Sequence, residues 1–151
     1  MKIVQHPAAI LRRTSEPITT FPVEIEVCNL ITEMMMEIRA RKALGLSAVQ
    51  VGVPIRMFVA KDKQGAFTAY INPEIVWKSF TMEIEEEGCL SIDHGRPRYR
   101  VKRHCGVRVD YTDLDGKPQS LKCAGLLARV IQHEMDHLDG RLIVDHAQGQ
   151  A

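Results

Sequence analysis

A segment near the C-terminus has the residue types and the spacing of a metal-binding site. The stretch His133-Glu134-Met135-Asp136-His137 follows the pattern H-E-x-x-H. On a helix, histidines four positions apart project from one face, so both imidazoles reach one metal ion while the glutamate lies beside a water molecule there. The pattern indicates a metal site with its own base. Taken alone, it also fits two surface histidines on an amphipathic helix.

A third protein ligand is needed, because catalytic metal sites of this type use three protein ligands and keep one position open. The metzincin pattern would place a histidine at position 143, where this chain has Ile143. Thermolysin-like enzymes use a glutamate from a later helix, and here only Asp145 and His146 follow as potential ligands. The third ligand is therefore expected upstream of the histidines.

The histidine segment is predicted to lie on a helix that follows several strands. Gly125–Leu138 contains no Gly or Pro after its first residue, and Gly140 lies where a C-terminal cap is expected. Upstream, Asp115-Gly116 indicates a hairpin turn, and Asn72-Pro73 is expected to close a strand. The predicted strands are Arg56–Lys61, Phe67–Ile71, Val107–Thr112 and Gln119–Cys123.

A second, amphipathic helix is predicted near the N-terminus, from Pro22 to Arg41. Apolar residues recur there at steps of three and four, and Pro22 suits a first helical turn. The run Met34–Met36 is interpreted as core filling. The order of elements predicts an α+β fold, with antiparallel sheets packed around the C-terminal H-E-x-x-H helix.

The composition is typical of one globular domain. With 151 residues, 45% apolar residues, 26% charged residues and a net charge of +1, the chain is expected to form a single domain over residues 1–151. No apolar run reaches the roughly 20 residues of a membrane helix, and the N-terminus lacks the pattern of a signal peptide. We therefore expect a cytoplasmic protein with no membrane partner. Its four cysteines form no C-x-x-C pair, which excludes a zinc-ribbon or thioredoxin-like motif, and in a cytoplasmic protein they are expected to be reduced thiols.

Three segments, in order, resemble motifs of the peptide deformylase family. They are the glycine-rich segment Gly45–Gln50, then Glu87–Ser91 (EGCLS), then Gln132–His137 (QHEMDH). The resemblance covers nearly the whole chain and implies a hydrolase that removes the N-formyl group from the initiating methionine of new polypeptides. The alternatives are a zinc metallopeptidase with an unrelated third ligand and a catalytically inactive family member that serves as a binding protein.

The resemblance also implies the metal site and the catalytic base. Cys89, His133 and His137 would bind one divalent ion, commonly Fe²⁺ in this family, with zinc, nickel and cobalt as alternatives. A mixed thiolate and imidazole ligand set suits iron(II) or zinc. Glu134 would act as the general acid and base.

Further roles follow from the same resemblance. The Gln50 side chain and the Leu90 backbone N–H would stabilise the oxyanion, and Glu87 would hold a metal ligand or the glycine-rich segment in place. One arginine, Arg96 or Arg98, would contact the substrate backbone. The remaining substrate contacts are expected from Leu44, Gly45, Glu87, Gly88 and Val130.

The chain departs from the family pattern at several positions. Ala43 replaces a glycine, Ser47 replaces an alanine, and Arg129 stands at a position that is often apolar at the pocket rim. The chain resembles short members that lack a long C-terminal helix, which occur in bacteria, phages and organelles. We expect a monomer.

A basic segment offers a second partner. Cations recur on alternate residues, at Arg96, Arg98, Arg100 and Lys102. They are interpreted as a solvated strand edge or as a weak contact with ribosomal RNA.

Overall fold

Two antiparallel sheets, three α-helices and three short 3₁₀ helices are seen in a computed structural model, which describes the backbone of residues 1–150 and the side chains of residues 1–146. The α-helices are α1 (Ile25–Arg41), α2 (Gly125–Leu138) and α3 (Ile143–His146), and the 3₁₀ helices are Ala9–Arg12, Ala48–Val51 and Asp93–Gly95. The strands are β1 (Gly45–Ser47), β2 (Met57–Lys61), β3 (Phe67–Lys78), β4 (Met82–Glu87), β5 (Tyr99–His104), β6 (Gly106–Thr112), β7 (Pro118–Ala124) and β8 (Ala147–Gln150). Within the described residues, no helix is long and apolar enough to span a membrane.

The larger sheet has five strands in the order β1-β2-β3-β6-β7. The predicted strands all lie in it, and the predicted hairpin joins β6 to β7 with Gly116 at a φ of 89°. The prediction that Asn72-Pro73 ends a strand was wrong, because β3 continues to Lys78. Asn72 has a φ of 48°, and the register with β6 shifts between Ile71 and Glu74. This bulge accommodates a proline that has no N–H to donate.

The smaller sheet, in the order β4-β5-β8, was not predicted. Strands β4 and β5 pair from Met82 opposite His104 to Glu87 opposite Tyr99. Side chains alternate between faces of a strand, so Val101 and Arg103 of β5 are buried. β4 ends at Glu87, and the next residues of the chain are Gly88 and Cys89.

Helix α1 begins later than predicted, at Ile25, and it packs against β1 and β2. Pro22 precedes the helix, and Glu24 is the extended N-cap residue. Met34 is fully buried but Met36 is 63% exposed, so the core interpretation of the methionine run holds only in part. The helix ends at Arg41, and the C-cap residue Lys42 has a left-handed φ of 56°. Ala43 is not among the residues with a positive φ in the described part of the chain, so its position does not require glycine.

Helix α2 has the predicted bounds and lies against both sheets. Its apolar residues pack against Phe58 of β2 and Val109 of β6 in one core cluster. After the helix, Gly140 has a φ of 73°, and a Cβ there would lie 2.4 Å from the Arg12 carbonyl oxygen. Glycine is required at this position because the chain turns tightly against the N-terminal segment. The packing fixes the direction in which the two histidines of α2 project.

Candidate active site

A thiol and two imidazoles converge between α2 and the loop that follows β4. The ligand atoms of Cys89, His133 and His137 lie within 4.8 Å of one another. His137 Nε2 is 3.3 Å from Cys89 Sγ and 3.2 Å from His133 Nε2. Cys89 and His137 are buried, and His133 is partly buried. The structure therefore brings together the three side chains that were expected to bind a metal.

The separations within this cluster fit a tetrahedral metal site. Two imidazole nitrogens bound to one zinc ion at about 2.0–2.1 Å lie roughly 3.3 Å apart when the geometry is tetrahedral. The 3.2 Å between the two Nε2 atoms is close to that separation. The donor set, one sulfur and two nitrogens, suits zinc or ferrous iron. Three protein ligands also leave one position open, as catalysis requires.

His133 is oriented by a buried carboxylate. Its Nδ1 lies 2.9 Å from Oε2 of Glu87, so an N–H at Nδ1 donates to the carboxylate and Nε2 is left facing the other ligands. Burial by itself would raise the pKa of Glu87, but hydrogen bonds from Arg103 and His133 outweigh it and lower the pKa. Glu87 is therefore ionised.

Two arginines hold Glu87 in turn. Arg103 donates from Nε and Nη2 at 2.8 and 2.9 Å, and Arg129 donates from Nη1 at 2.8 Å. Arg129 also donates to the carbonyl oxygens of Val101 and Glu83, each at 2.9 Å. Its guanidinium thus donates hydrogen bonds to both β4 and β5. The position that is often apolar in the family carries a cation that stabilises Glu87.

The role of Arg103 was missed at the sequence level. Besides Glu87, it binds the carboxylate of Asp136, so one side chain ties β4 to the H-E-x-x-H segment. A signal was present in the sequence, because Arg103 follows Lys102 and therefore faces away from the alternating cations. A cationic residue at a strand position whose side chain faces the core is typical of a buried ion pair.

His137 lies deeper than the other ligands, with 1% of its surface exposed. Burial lowers its pKa well below the usual value, and the nearby His133 and Arg103 lower it further. The ring is therefore neutral, which is the form that binds a metal. Within the residues described, its Nδ1 has no hydrogen-bond partner.

Glu134 is buried beside the ligand cluster and lines the adjoining cavity. Its Oε2 accepts a hydrogen bond from Ser47 Oγ at 2.7 Å. Burial raises the pKa of Glu134, although the nearby His133 and the Ser47 hydrogen bond lower it. A raised carboxyl pKa brings a general base closer to neutral operating pH.

Gln50 is 2% exposed and its amide points toward the ligand cluster. Its Oε1 accepts the Ser47 backbone N–H at 2.9 Å, which directs Nε2 toward Ser91 Oγ at 3.2 Å and Cys89 Sγ at 3.6 Å. Leu90 follows Cys89, and its carbonyl accepts a hydrogen bond from Gln5 at 2.8 Å. Both proposed oxyanion donors therefore belong to segments that border the cluster.

A cavity of about 290 Å³ opens beside these groups. Its walls include Leu126, which was not predicted although it lies one helical turn before Val130. Of the two candidate arginines, Arg98 lines the cavity and Arg96 does not, and the Arg98 guanidinium donates to the Glu86 carbonyl oxygen at 2.9 Å. The predicted substrate contacts that line the cavity are Leu44, Gly45, Glu87, Gly88, Arg98 and Val130.

Comparisons with known proteins agree with this geometry. The family model for polypeptide deformylase matches residues 1–151. The chain is 39% identical to a peptide deformylase of Bartonella tribocorum over 95% of its own length and 82% of that protein. The peptide deformylase structure from Thermotoga maritima matches with a TM-score of 0.91 and 33% identity, covering 98% of this chain and 97% of the other.

A third relative, the class I type b peptide deformylase of Acinetobacter baumannii, was solved with Met-Ala-Ser bound. It matches with a TM-score of 0.89 and 28% identity over 97% of each chain. These relatives favour a deformylase over the metallopeptidase alternative. The chain therefore belongs to the peptide deformylase family, the metal-dependent hydrolases that remove the N-formyl group from the N-terminal methionine of newly synthesised polypeptides.

Proposed function

We propose that Cys89, His133 and His137 hold one ferrous ion and that Glu134 is the general base of deformylation. The observation that carries this proposal is the convergence of the three ligand atoms within 4.8 Å, beside a buried glutamate. A divalent ion bound there supplies Lewis-acid activation of water and of the formyl oxygen. Cys89 binds as the thiolate, so loading the site releases protons.

Glu134 and the oxyanion donors perform the proton transfer and the charge stabilisation. Glu134 accepts a proton from the attacking water and delivers it to the departing amine, so formate and a free N-terminus are released. Negative charge develops on the formyl oxygen during the attack. Gln50 Nε2 and the Leu90 N–H are proposed to donate to that oxygen, since both border the ligand cluster.

The cavity supplies the means to recognise a formyl-methionyl peptide. Leu126 and Val130 of α2 and Leu44, which precedes β1, line the cavity and offer apolar contacts for the methionine side chain. β1 is the edge strand of the five-stranded sheet, so the substrate backbone can pair beside Gly45 as an added strand. Arg98 also lines the cavity and is proposed to contact the substrate backbone.

Gly88 is also proposed to face the substrate, in a crowded part of the wall. A Cβ on this residue would lie 3.2 Å from both Arg98 Nη1 and the Gly95 carbonyl oxygen. Glycine therefore keeps the wall open for an extended peptide.

The ligand assignment is tested with Cys89→Ser, because an alcohol is a poor ligand beside two imidazoles. We expect the metal content after dialysis to fall well below one ion per chain, together with the hydrolysis of a formyl-Met peptide. The matched control is Cys28→Ser at a partly buried position of α1, outside the ligand cluster, which should keep metal and activity. Full metal content in the Cys89 variant would remove this residue from the ligand set.

We also propose that the basic segment contacts ribosomal RNA and that the enzyme is a monomer. Arg96, Arg98, Arg100 and Lys102 are exposed, and the last two lie on the outward face of β5. A weak contact with ribosomal RNA through this face would place a cytoplasmic, monomeric, single-domain enzyme near the nascent chain. Cosedimentation with ribosomes, compared between wild type and an Arg100→Glu/Lys102→Glu variant, tests the contact. Light scattering during size-exclusion chromatography tests the monomer.

A further inference from the structure

We propose that Ser47 is a positioning residue for Glu134, whose carboxylate its hydroxyl holds in the orientation needed for proton transfer. This inference rests on the assignment of Glu134 as the general base. The Ser47 hydroxyl is a side-chain contact to Glu134 that an alanine at this position would lack. It does not itself touch the substrate.

The contact between the two side chains is short and buried. Ser47 Oγ lies 2.7 Å from Glu134 Oε2 and 3.1 Å from the carbonyl oxygen of the same residue. Ser47 is fully buried, and Glu134 is 3% exposed. A hydroxyl that donates to a carboxylate forms a charge-assisted hydrogen bond, and a dry environment strengthens it.

The other carboxylate oxygen is restrained by the backbone of β1. A Cβ placed on Gly45 would lie 2.6 Å from Glu134 Oε1 and 3.0 Å from Glu134 Cγ, so the glycine backbone packs directly against this side chain. Gly45 and Ser47 are two residues apart on a strand and therefore face the same side. β1 thus restrains the glutamate at both oxygens, by packing at Oε1 and by a hydrogen bond at Oε2.

The side chain of Ser47 can be tested apart from its backbone. The Ser47 backbone N–H donates to Gln50 Oε1 at 2.9 Å, and this bond survives when the side chain becomes alanine. Ser47→Ala therefore removes the hydroxyl's contact with Glu134, and with it the capping contact to the Gln50 backbone N–H, but it keeps the hydrogen bond to the Gln50 side chain. The double-mutant cycle below separates the effect through Glu134 from any effect through Gln50. Alanine also fits the space, because it removes one atom and adds none.

The experiment compares steady-state deformylation of a formyl-Met peptide by metal-loaded wild type, Ser47→Ala and Ser47→Thr. For Ser47→Ala we expect kcat to fall about fivefold to tenfold, with KM within twofold and metal content unchanged. Threonine keeps the hydroxyl and should restore most of kcat. Ser15→Ala is the matched control, because its buried hydroxyl has no partner among the described residues. A kcat within twofold of wild type for Ser47→Ala overturns the proposal.

A double-mutant cycle shows whether the hydroxyl acts through Glu134. In the Glu134→Gln background, Ser47→Ala should change the residual turnover less than twofold, because the carboxylate that the hydroxyl orients is gone. The same fivefold to tenfold loss in both backgrounds would mean that Ser47 acts by another route. This cycle decides the question even if threonine is too large for the site. Wild-type activity and its loss in Glu134→Gln report separately on the proposed function.

Discussion

At the scale of single residues, the surroundings of Glu134 suit a proton acceptor that works near neutral pH. Burial raises the pKa of its carboxyl group, and its position on α2 places it beside both histidine ligands. We expect Glu134→Gln to keep the metal, because an amide has the same size, and to lower kcat by about 10²- to 10⁴-fold, because it cannot accept a proton.

Turnover of a formyl-Met peptide and metal content, measured on one preparation, check this prediction. Glu74→Gln, a change at an exposed position of β3, is the control and should leave both unchanged. Activity of the Glu134 variant within threefold of wild type would remove Glu134 as the base.

Glu87 is expected to matter for both stability and metal affinity. Glu87→Gln removes the buried carboxylate that Arg103 and Arg129 share and leaves them only Asp136 and the exposed Glu85 as anionic partners, which should cost about 3 kcal/mol of unfolding free energy. It also weakens the support of His133, so metal affinity should fall about 10- to 100-fold. Urea unfolding and competition with a chelator measure the two effects. A stability loss below 1 kcal/mol would contradict the importance of this ion-pair network.

The stability contribution of Glu87 should depend on pH with a definite sign. Its hydrogen bonds with Arg103 and His133 outweigh burial and lower its folded-state pKa below the ordinary 4.5. The contribution is therefore fully present above about pH 4.5 and is lost as the pH falls through the folded-state value. The difference in unfolding free energy between wild type and Glu87→Gln should narrow only below pH 4.5. If the difference in unfolding free energy already narrows between pH 7 and pH 5, the pKa of Glu87 is not lowered in the folded state.

At the scale of elements, the end of α2 is fixed by one glycine. Gly140 has a φ of 73°, and a Cβ would lie 2.4 Å from the Arg12 carbonyl oxygen, which is backbone and cannot rotate away. We expect Gly140→Ala to lower the unfolding free energy by about 2–4 kcal/mol, from the left-handed conformation and the clash together. Urea unfolding of the metal-loaded protein is the measurement.

The control for this prediction has the same backbone strain without the clash. Gly65 lies in a turn with a φ of 87°, and a Cβ there would meet no atom within 4 Å. Gly65→Ala should therefore cost only about 1 kcal/mol. An equal loss of unfolding free energy in Gly140→Ala and Gly65→Ala would show that the contact with Arg12 does not affect stability.

At the scale of the whole molecule, the identity of the metal decides how the enzyme responds to oxygen. If the ion is Fe²⁺ bound to the Cys89 thiolate, oxygen should oxidise the metal or the sulfur, and activity should decay in air. A zinc enzyme should be inert to this treatment because zinc has no redox chemistry. Nickel or cobalt should restore the aerated enzyme unless the sulfur has reached the sulfinic state.

The experiment divides one anaerobic preparation into an aerated half and a protected half. Turnover of a formyl-Met peptide, metal content and the mass of the Cys89 peptide are compared between them. Stable activity in air with iron bound and Cys89 unmodified would overturn the expected sensitivity.

The sequence by itself determined the family and the central helix, and it supplied the residues that are proposed as metal ligands and general base. The bounds of α2 were predictable because helix periodicity and a capping glycine are local signals. The H-E-x-x-H spacing is likewise local, since one helical turn places both histidines on one face. Cys89 was assigned only from the family motif, because nothing local joins it to residues more than forty positions later.

Glu87 was expected to support a metal ligand, but only the tertiary structure decided which other groups support the site. Arg103, Arg129 and Glu87 lie on three different elements, so their pairing depends on the register of β4 with β5 and on the packing of α2. The choice of Arg98 over Arg96 at the cavity likewise depends on how the loop before β5 folds. The hydrogen bond from Ser47 to Glu134 joins residues 87 positions apart. Such contacts have no local signature, because they are set by long-range packing and by the requirement that buried charges find partners.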